Sequence, residues 1–134
     1  RFKFINKKWK HSYQLKPLKI IDSATNFQKK NHKNGTLTCL SFHHRKHIPI
    51  GRGGMILTNS KTKYEKLKLL RYDGRNINIK YDNDKFKMMG YHMYMTPEQA
   101  AYGLKLFEEN MKKKHKEITY LDYSNLNKYK KIFK

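Results

Sequence analysis

Ser41-Phe42-His43-His44-Arg45-Lys46-His47-Ile48-Pro49-Ile50-Gly51-Arg52-Gly53-Gly54 sets a hydroxyl, imidazoles and a lysine beside closely spaced glycines. Immediately upstream, residues 36–42 (Thr-Leu-Thr-Cys-Leu-Ser-Phe) form a short run rich in strand formers, and residues 54–58 (Gly-Met-Ile-Leu-Thr) form another. Both predict buried strands, so the polar stretch is a loop held between them. A lysine in a partly enclosed, cation-rich setting can present a neutral amine that attacks a carbonyl and forms an imine. On residue type alone, a solvated charge is the commoner fate of such a lysine.

Working outward, residues 18–21 (Leu-Lys-Ile-Ile) predict a strand that runs into Asp22, placing a carboxylate at its C-terminal end. In parallel α/β sheets that end is where ligands bind. Downstream, Tyr64, Leu67, Leu69 and Leu70 suit a helix over residues 61–71, with Gly74 just beyond as a stop. Residues 72–89 have mixed charge and no period, and read as a connection with one short turn. Thr96-Pro97-Glu98-Gln99 marks a helix start: Thr96 can cap, Pro97 fits the first helical position, and Gln99 can complete a capping box. Ala100, Leu104, Phe107 and Met111 then make one apolar stripe. Lys112, Lys113, Lys114 and Lys116 suit the negative end of the helix dipole, so the helix is expected to end near residue 118. Residues 120–134 suggest one more small helix, and no internal repeat occurs.

Composition bounds the function classes. A chain of 134 residues with 37% hydrophobic and 13% aromatic content is not disordered throughout. Its 31 basic and 10 acidic residues give a formal charge of +21, attractive to phosphates, nucleic acids and anionic surfaces. The lysines are dispersed among Asn, Ile and Tyr, a bias that AT-rich coding produces equally well. Ten Tyr and seven Phe could stack on bases, which keeps a nucleic-acid-binding module in view as the alternative from another class. That alternative lacks any standard motif and a basic helical face. The single Cys39 excludes an internal disulfide, and no apolar run approaches the ~20 residues of a membrane span, so a reducing cytoplasm is the default. Position 1 is not Met and no signal peptide opens the chain, whose start reads as the interior of something longer. Cys39, His43, His44 and His47 are poor candidates for zinc, because no second Cys pair exists and alternate strand residues face opposite sides. No metal is expected. The Gly51 to Gly54 segment reads as a turn, since no Gly-Lys-Ser/Thr ending makes it a P-loop.

The central loop resembles the Schiff-base segment of the DegT/DnrJ/EryC1/StrS family of sugar aminotransferases, roughly Ser-Phe-His-x-x-Lys followed by Gly-x-Gly-Gly, with Lys46 on the imine lysine. Ile21-Asp22-Ser23-Ala24-Thr25 resembles the family's Glu-Asp-Ala-Ala-Gln, whose aspartate pairs with the pyridine nitrogen of the cofactor. Leu69-Leu70-Arg71-Tyr72-Asp73-Gly74 is similar to Leu-Arg-x-x-Gly, and Gly90-Tyr91-His92-Met93-Tyr94-Met95-Thr96 to Gly-Tyr-Asn-Tyr-Arg-Met-Ser. The last leads, as in the family, into a helix with paired alanines, here Ala100 and Ala101. Four motifs in family order cover residues 20–110.

The resemblance implies an α/β, fold-type-I pyridoxal-phosphate architecture. Residues 1–89 would form the second half of the large cofactor-binding domain, and residues 90–134 the linking helix and the start of the small C-terminal domain. The family's first half, with a phosphate-binding Gly-Thr turn and a ring-stacking aromatic, would lie outside this chain. The implied cofactor is pyridoxal 5′-phosphate. The implied reaction is ping-pong transfer of an amino group from a glutamate-like donor to the keto group of a nucleotide-linked sugar, within a homodimer. Lys46 and Asp22 are the implied catalytic residues, Ser41 binds the cofactor phosphate, and His43 and Tyr94 fall at the substrate. Thr25 stands where Gln or His usually lies near the cofactor hydroxyl, and Arg52 where an acidic residue is commoner. His92 replaces an asparagine that reaches a second subunit's cofactor phosphate, a role an imidazole can also fill. Tyr94 replaces an arginine, which leaves the sugar open. A branch of the family carries histidine at the lysine position and dehydrates sugars, so His47 beside Lys46 defines a dehydratase alternative. The ungapped spacing from Ser41 to Lys46 and from Gly51 to Gly54 favours the lysine.

Overall fold

The structure is a computed structural model and describes residues 11–115, 118 and 126–133. In chain order these form β1 (Tyr13–Gln14), β2 (Ile20–Asp22), β3 (Leu37–Ser41), β4 (Gly54–Leu57), helix α1 (Lys61–Arg71) and helix α2 (Pro97–Met111). Short 3-10 turns lie at Tyr81–Asn83 and Leu126–Phe133. The strands make one sheet in the order β1-β2-β3-β4. Its central pair, β2 and β3, is parallel with Asp22 opposite Cys39, while β1 and β4 flank it antiparallel. Because side chains alternate across a sheet, Asp22, Cys39 and Ser41 share one face, and Ile21, Thr38 and Leu40 share the other.

The buried centre is small. Phe42 and Ile48 are its buried apolar residues among those described, and Thr38 of β3 is fully buried with its hydroxyl 3.2 Å from Nδ1 of His32. The prediction of two buried strands holds less well for β4, an edge strand that leaves Met55 and Ile56 well exposed. β1 was not expected at all, since two residues are too few to show a period.

α1 matches its expected span. The Ser60 hydroxyl caps it by accepting the Lys63 N–H, and the Gly74 N–H closes it on the Leu69 carbonyl at 2.9 Å. α2 begins with a full capping box in which Thr96 and Gln99 exchange hydrogen bonds of 3.3 Å. Two expectations about α2 need correction. Of the expected stripe, Phe107 and Met111 turn inward, but Ala100 and Leu104 are exposed and the buried position is Gly103. Gly103 is buried so tightly that a Cβ there would lie 2.6 Å from Ile50 Cδ1, Phe107 meets Phe27 edge-on at 5.9 Å, and Leu104 is 65% exposed. The helix also ends at Met111 and not near residue 118, because the Asn110 carbonyl is taken by the Lys113 N–H at 3.0 Å and by Nε2 of His115 at 2.8 Å. Those bonds satisfy the terminal backbone without another turn. The small helix expected at residues 120–134 falls partly outside the described residues, and its described part is the Leu126–Phe133 turn.

The connection after α1 is organised around Asp84, whose Oδ2 accepts the Asn76 N–H at 2.8 Å and lies 3.6 Å from Nε of Arg75. Arg75 in turn stacks over Tyr81 at 4.1 Å. Residues 90–93 then return along the end of α1, through Tyr91 N–H to the Leu70 carbonyl (2.7 Å) and Met93 N–H to the Arg71 carbonyl (3.0 Å). At this crossing Gly74 (φ +77°) and Gly90 touch backbone to backbone: a Cβ on Gly90 would overlap the Gly74 nitrogen, and one on Gly74 the Met88 carbonyl oxygen. No described helix is long and apolar enough to cross a membrane.

The crossing predicts an order of stability losses in urea unfolding of the full-length chain. Gly90→Ala must displace backbone and is expected to cost ~3 kcal/mol. Thr96→Ala removes one cap and is expected to cost ~1 kcal/mol. Equal midpoints for the two variants would contradict the close contact at Gly90.

Candidate active site

Asp22 ends β2 with both carboxylate oxygens engaged. Oδ2 accepts the Tyr13 phenol at 2.8 Å, and Oδ1 accepts the Ala24 N–H at 2.9 Å. Next to it the chain turns away from the sheet, and the Thr25 hydroxyl donates to the His11 carbonyl at 3.2 Å. Cys39 is the cross-strand neighbour of Asp22, and burial, with a smaller contribution from the Asp22 charge, pushes its thiol pKa up. It therefore stays a thiol and is a poor nucleophile. Ser41, two residues further along the same face, ends β3 at the same edge of the parallel pair.

The loop that follows is pinned at several points. Phe42 exchanges backbone hydrogen bonds of 3.0 Å with Gly51 and Gly53, which closes the loop at its neck. Inside it the Ser41 hydroxyl accepts the His43 N–H at 3.3 Å, and the Lys46 N–H donates to the His43 carbonyl at 2.9 Å. Lys46 is half-buried. Ile48, 2% exposed, fixes the loop from beneath, while Ile50 sits in the hollow over Gly103 of α2. The His47 ring packs edge-on against His115 at 4.9 Å, joining the loop to the segment after α2. Gly51 and Gly53 hold φ of +110° and +91°, a region that side chains other than hydrogen disfavour.

His43 stacks on His44 with ring centroids 3.9 Å apart, and its Nδ1 accepts the Arg45 N–H at 3.3 Å. Desolvation first, and then the charges of His44, Lys46 and Arg45, lower its pKa. The Arg45 N–H points to the same outcome, because a ring nitrogen can accept only when unprotonated.

His92 and Tyr94 belong to a second group. His92 bridges backbone-to-backbone with Tyr72, and its Nδ1 is 3.6 Å from Oδ2 of Asp73. The Tyr94 ring lies 4.0 Å from His92 and 5.0 Å from Tyr72. Desolvation, Asp73 and Tyr72 raise the Tyr94 pKa, and Arg75 opposes them. A concavity of about 1420 Å³ opens beside this group, with Arg52, Gly53, His92 and Tyr94 on its wall; Asp22, Ser41 and Lys46 are not among its lining residues. The two groups meet where Met95 covers Gly53, whose Cβ, if present, would lie 2.8 Å from Met95 Cε. Of the sequence-predicted residues, then, Asp22, Thr25, Ser41, His43 and Lys46 gather around the ends of β2 and β3, and His92 and Tyr94 stand on a separate support. Cys39, His43, His44 and His47 do not converge, and no cluster of three or more potential metal ligands occurs among the described residues.

Tyr13 and Asp73 are neighbours of these groups that sequence reasoning missed. A two-residue strand gives Tyr13 no pattern to stand on. Asp73 carried a usable sign in its Asp-Gly pair, a turn dipeptide that admits the positive φ of 55° seen there. Chemically, a carboxylate and a hydroxyl at one edge of a parallel pair could hold a protonated ring nitrogen and a phosphate, and a primary amine on the adjoining loop could meet a carbonyl carbon.

Comparison with known proteins gives this arrangement a context. The profile of the DegT/DnrJ/EryC1/StrS aminotransferase family matches residues 20–132. The GDP-perosamine synthase of Caulobacter vibrioides is 39% identical over 85 residues, which are 63% of this chain and 22% of that protein. The GDP-perosamine synthase of Escherichia coli O157:H7 is 30% identical over 102 residues, 75% of this chain and 27% of that protein. Among solved structures, PseC of Helicobacter pylori, an aminotransferase involved in pseudoaminic acid biosynthesis, superposes with a TM-score of 0.58 at 26% identity. That superposition covers 66% of this chain and 25% of PseC. The chain thus spans about a quarter of the length of these relatives.

The surroundings of His43 predict its titration. Its lowered pKa means that the unfolded chain binds the proton first, so whatever stability this ring contributes is present above the unfolded pKa and is lost as pH falls through the folded one. In an NMR titration the His43 ring is expected to protonate below the ordinary histidine value, and His44→Ala to move its midpoint upward. A midpoint at or above the ordinary value would contradict the cation-crowded loop.

Proposed function

We propose, on the premise that the chain belongs to the DegT/DnrJ/EryC1/StrS aminotransferase family, that it forms the lysine-bearing part of a pyridoxal-phosphate-dependent site. That site would transfer an amino group from a glutamate-like donor to the keto group of a nucleotide-linked sugar. Residues 1–89 would be the second half of the large domain, and residues 90–134 the linking helix and the start of the small one. The observation that carries this reading is the parallel register of β2 and β3, which sets Asp22 and Ser41 on one face at one edge and leads directly into the pinned loop of Lys46.

The residues present fit the cofactor. Each carboxylate oxygen has two acceptor sites, so Asp22 can receive a ring N–H in addition to Tyr13 and Ala24. Ser41 uses an oxygen lone pair on the His43 N–H, leaving its own O–H to donate to a phosphate. Bound there, pyridoxal phosphate supplies an electrophilic carbon and a ring that stores the electron pair released on deprotonation. Lys46 Nζ would anchor it and, once displaced by the amino donor, take a proton from one carbon and return it to another. The Asp22 carboxylate would hold the proton on the ring nitrogen, because a nearby opposite charge favours the charged form. Thr25 would stand near the ring hydroxyl, and His43 and Tyr94 at the sugar side.

His92 stands beside Asp73 and bridges to Tyr72, on a different support from the strand that carries Asp22; this supports a role at the phosphate of a second copy and hence a homodimer with shared sites. The nucleotide-linked sugar is supported by the names of the GDP-perosamine synthases. His47 packs its ring against His115, while the preceding Lys46 backbone closes the His43 turn. This favours Lys46 over His47 as the cofactor-bearing residue, and amino transfer over the dehydration of the histidine branch.

The test uses the longest open reading frame containing this segment, loaded with pyridoxal phosphate. A visible absorbance band that borohydride fixes to the protein is expected, and its loss in Lys46→Ala. Asp22→Asn is expected to keep the cofactor and to lower turnover by at least about a hundredfold. A folded full-length protein without the band would sink the proposal.

A further inference from the structure

We infer that Tyr13 is a positioning residue: strand β1 clamps the Asp22 carboxylate into the orientation in which it meets the cofactor ring nitrogen, a role that rests on the pyridoxal-phosphate reading above. An aspartate at the end of a strand is free to rotate about its side-chain bonds unless something holds it. Placement within roughly half an ångström and 10–20° is what a working site requires of such a group. Here the holding is built into the sheet. The antiparallel register puts Tyr13 directly opposite Asp22, so both side chains leave the same face, and the phenol donates to Oδ2 at 2.8 Å. On the other oxygen the Ala24 N–H donates at 2.9 Å. The carboxylate is thereby gripped from two directions, with acceptor sites on both oxygens still available.

A second tie supports the same reading. The Thr25 hydroxyl donates to the His11 carbonyl at 3.2 Å, so the turn after Asp22 is fastened to the segment carrying Tyr13 both before and after the strand end. β1 itself is anchored by the Leu15 N–H on the Ile20 carbonyl at 2.8 Å and by the Gln14 side-chain amide on the Leu18 carbonyl at 2.8 Å. These bonds fix the register that brings the phenol to Asp22.

Tyr13→Phe keeps the ring and removes only the hydroxyl, and two measurements on the full-length protein decide its role. In the cofactor-free protein, urea unfolding of Tyr13→Phe, Asp22→Ala and the double variant forms a cycle. Tyr13→Phe is expected to reduce the folding equilibrium constant on the order of tenfold, and less than twofold once Asp22 is Ala, as for a hydrogen bond to a charged group. In the cofactor-binding arm, Tyr13→Phe is expected to raise the dissociation constant for pyridoxal phosphate about tenfold. It should also lower kcat while the KM of donor and acceptor stays within twofold, with the borohydride-fixed fraction at saturating cofactor unchanged. An absent coupling overturns the clamp. Coupling with unaltered cofactor affinity and kcat overturns the positioning role. A wild-type protein that binds no pyridoxal phosphate overturns the cofactor reading, and the positioning role with it, while the cycle still reports whether the two side chains are joined.

Discussion

The parallel pairing of β2 with β3 is the constraint on which everything around the candidate site depends. Parallel strands point their carbonyl ends the same way, so the last side chains of both, Asp22 and Ser41, arrive at one edge on one face. A slip of one residue in that register would turn Asp22 to the opposite face, where Thr38 and Leu40 lie. The register is held from both sides by antiparallel neighbours and below by the fully buried Thr38, whose hydroxyl finds the His32 ring and so avoids the cost of an unpaired buried polar group. A polar residue at the most buried point of so small a sheet ties the strand to the irregular segment that precedes it.

The loop after β3 converts that edge into a defined arrangement. Loops usually lose definition with distance from their strands, yet this one is closed at its neck by Phe42, weighted by Ile48 and covered by α2 through Ile50 and Gly103. The two glycines with positive φ allow the chain to re-enter the sheet as β4 with its backbone close against Leu40. Lys46 therefore sits on a short, braced arc, and the crowding of cations around His43 is a by-product of the same tight turn.

Much of this was legible in the sequence, and the limits of legibility are physical. α1 and the start of α2 declared themselves through local chemistry, Ser60 and Thr96 with Gln99, which works within one turn of the chain. The central strands showed as short apolar runs. The face of α2 was read correctly at Phe107 and Met111 and wrongly at Ala100 and Leu104, because an apolar stripe was sought and the position that packs most closely is Gly103, which allows approach by having no side chain. Its end was placed too late because the lysines after Met111 look compatible with helix, while the bonds from Lys113 and His115 to Asn110 that stop it are set by tertiary folding. β1, with Tyr13 over Asp22, depends wholly on a long-range partner and left no period to read. The segment motifs put Asp22, Ser41, Lys46 and His92 in order along the chain, but only the folded chain separates His92 and Tyr94 from the others.

That separation has a consequence for how such a protein can diversify. His92 and Tyr94 ride on a strip of backbone laid along the end of α1 and locked there by the Gly74 and Gly90 contact, whereas Asp22 and Lys46 are carried by the sheet and its loop. Side chains on the strip can be exchanged without disturbing a single hydrogen bond around Asp22. Change on one support is thus mechanically insulated from the other, so the strip can vary in side-chain size and charge while the carboxylate at the strand end keeps its bonds.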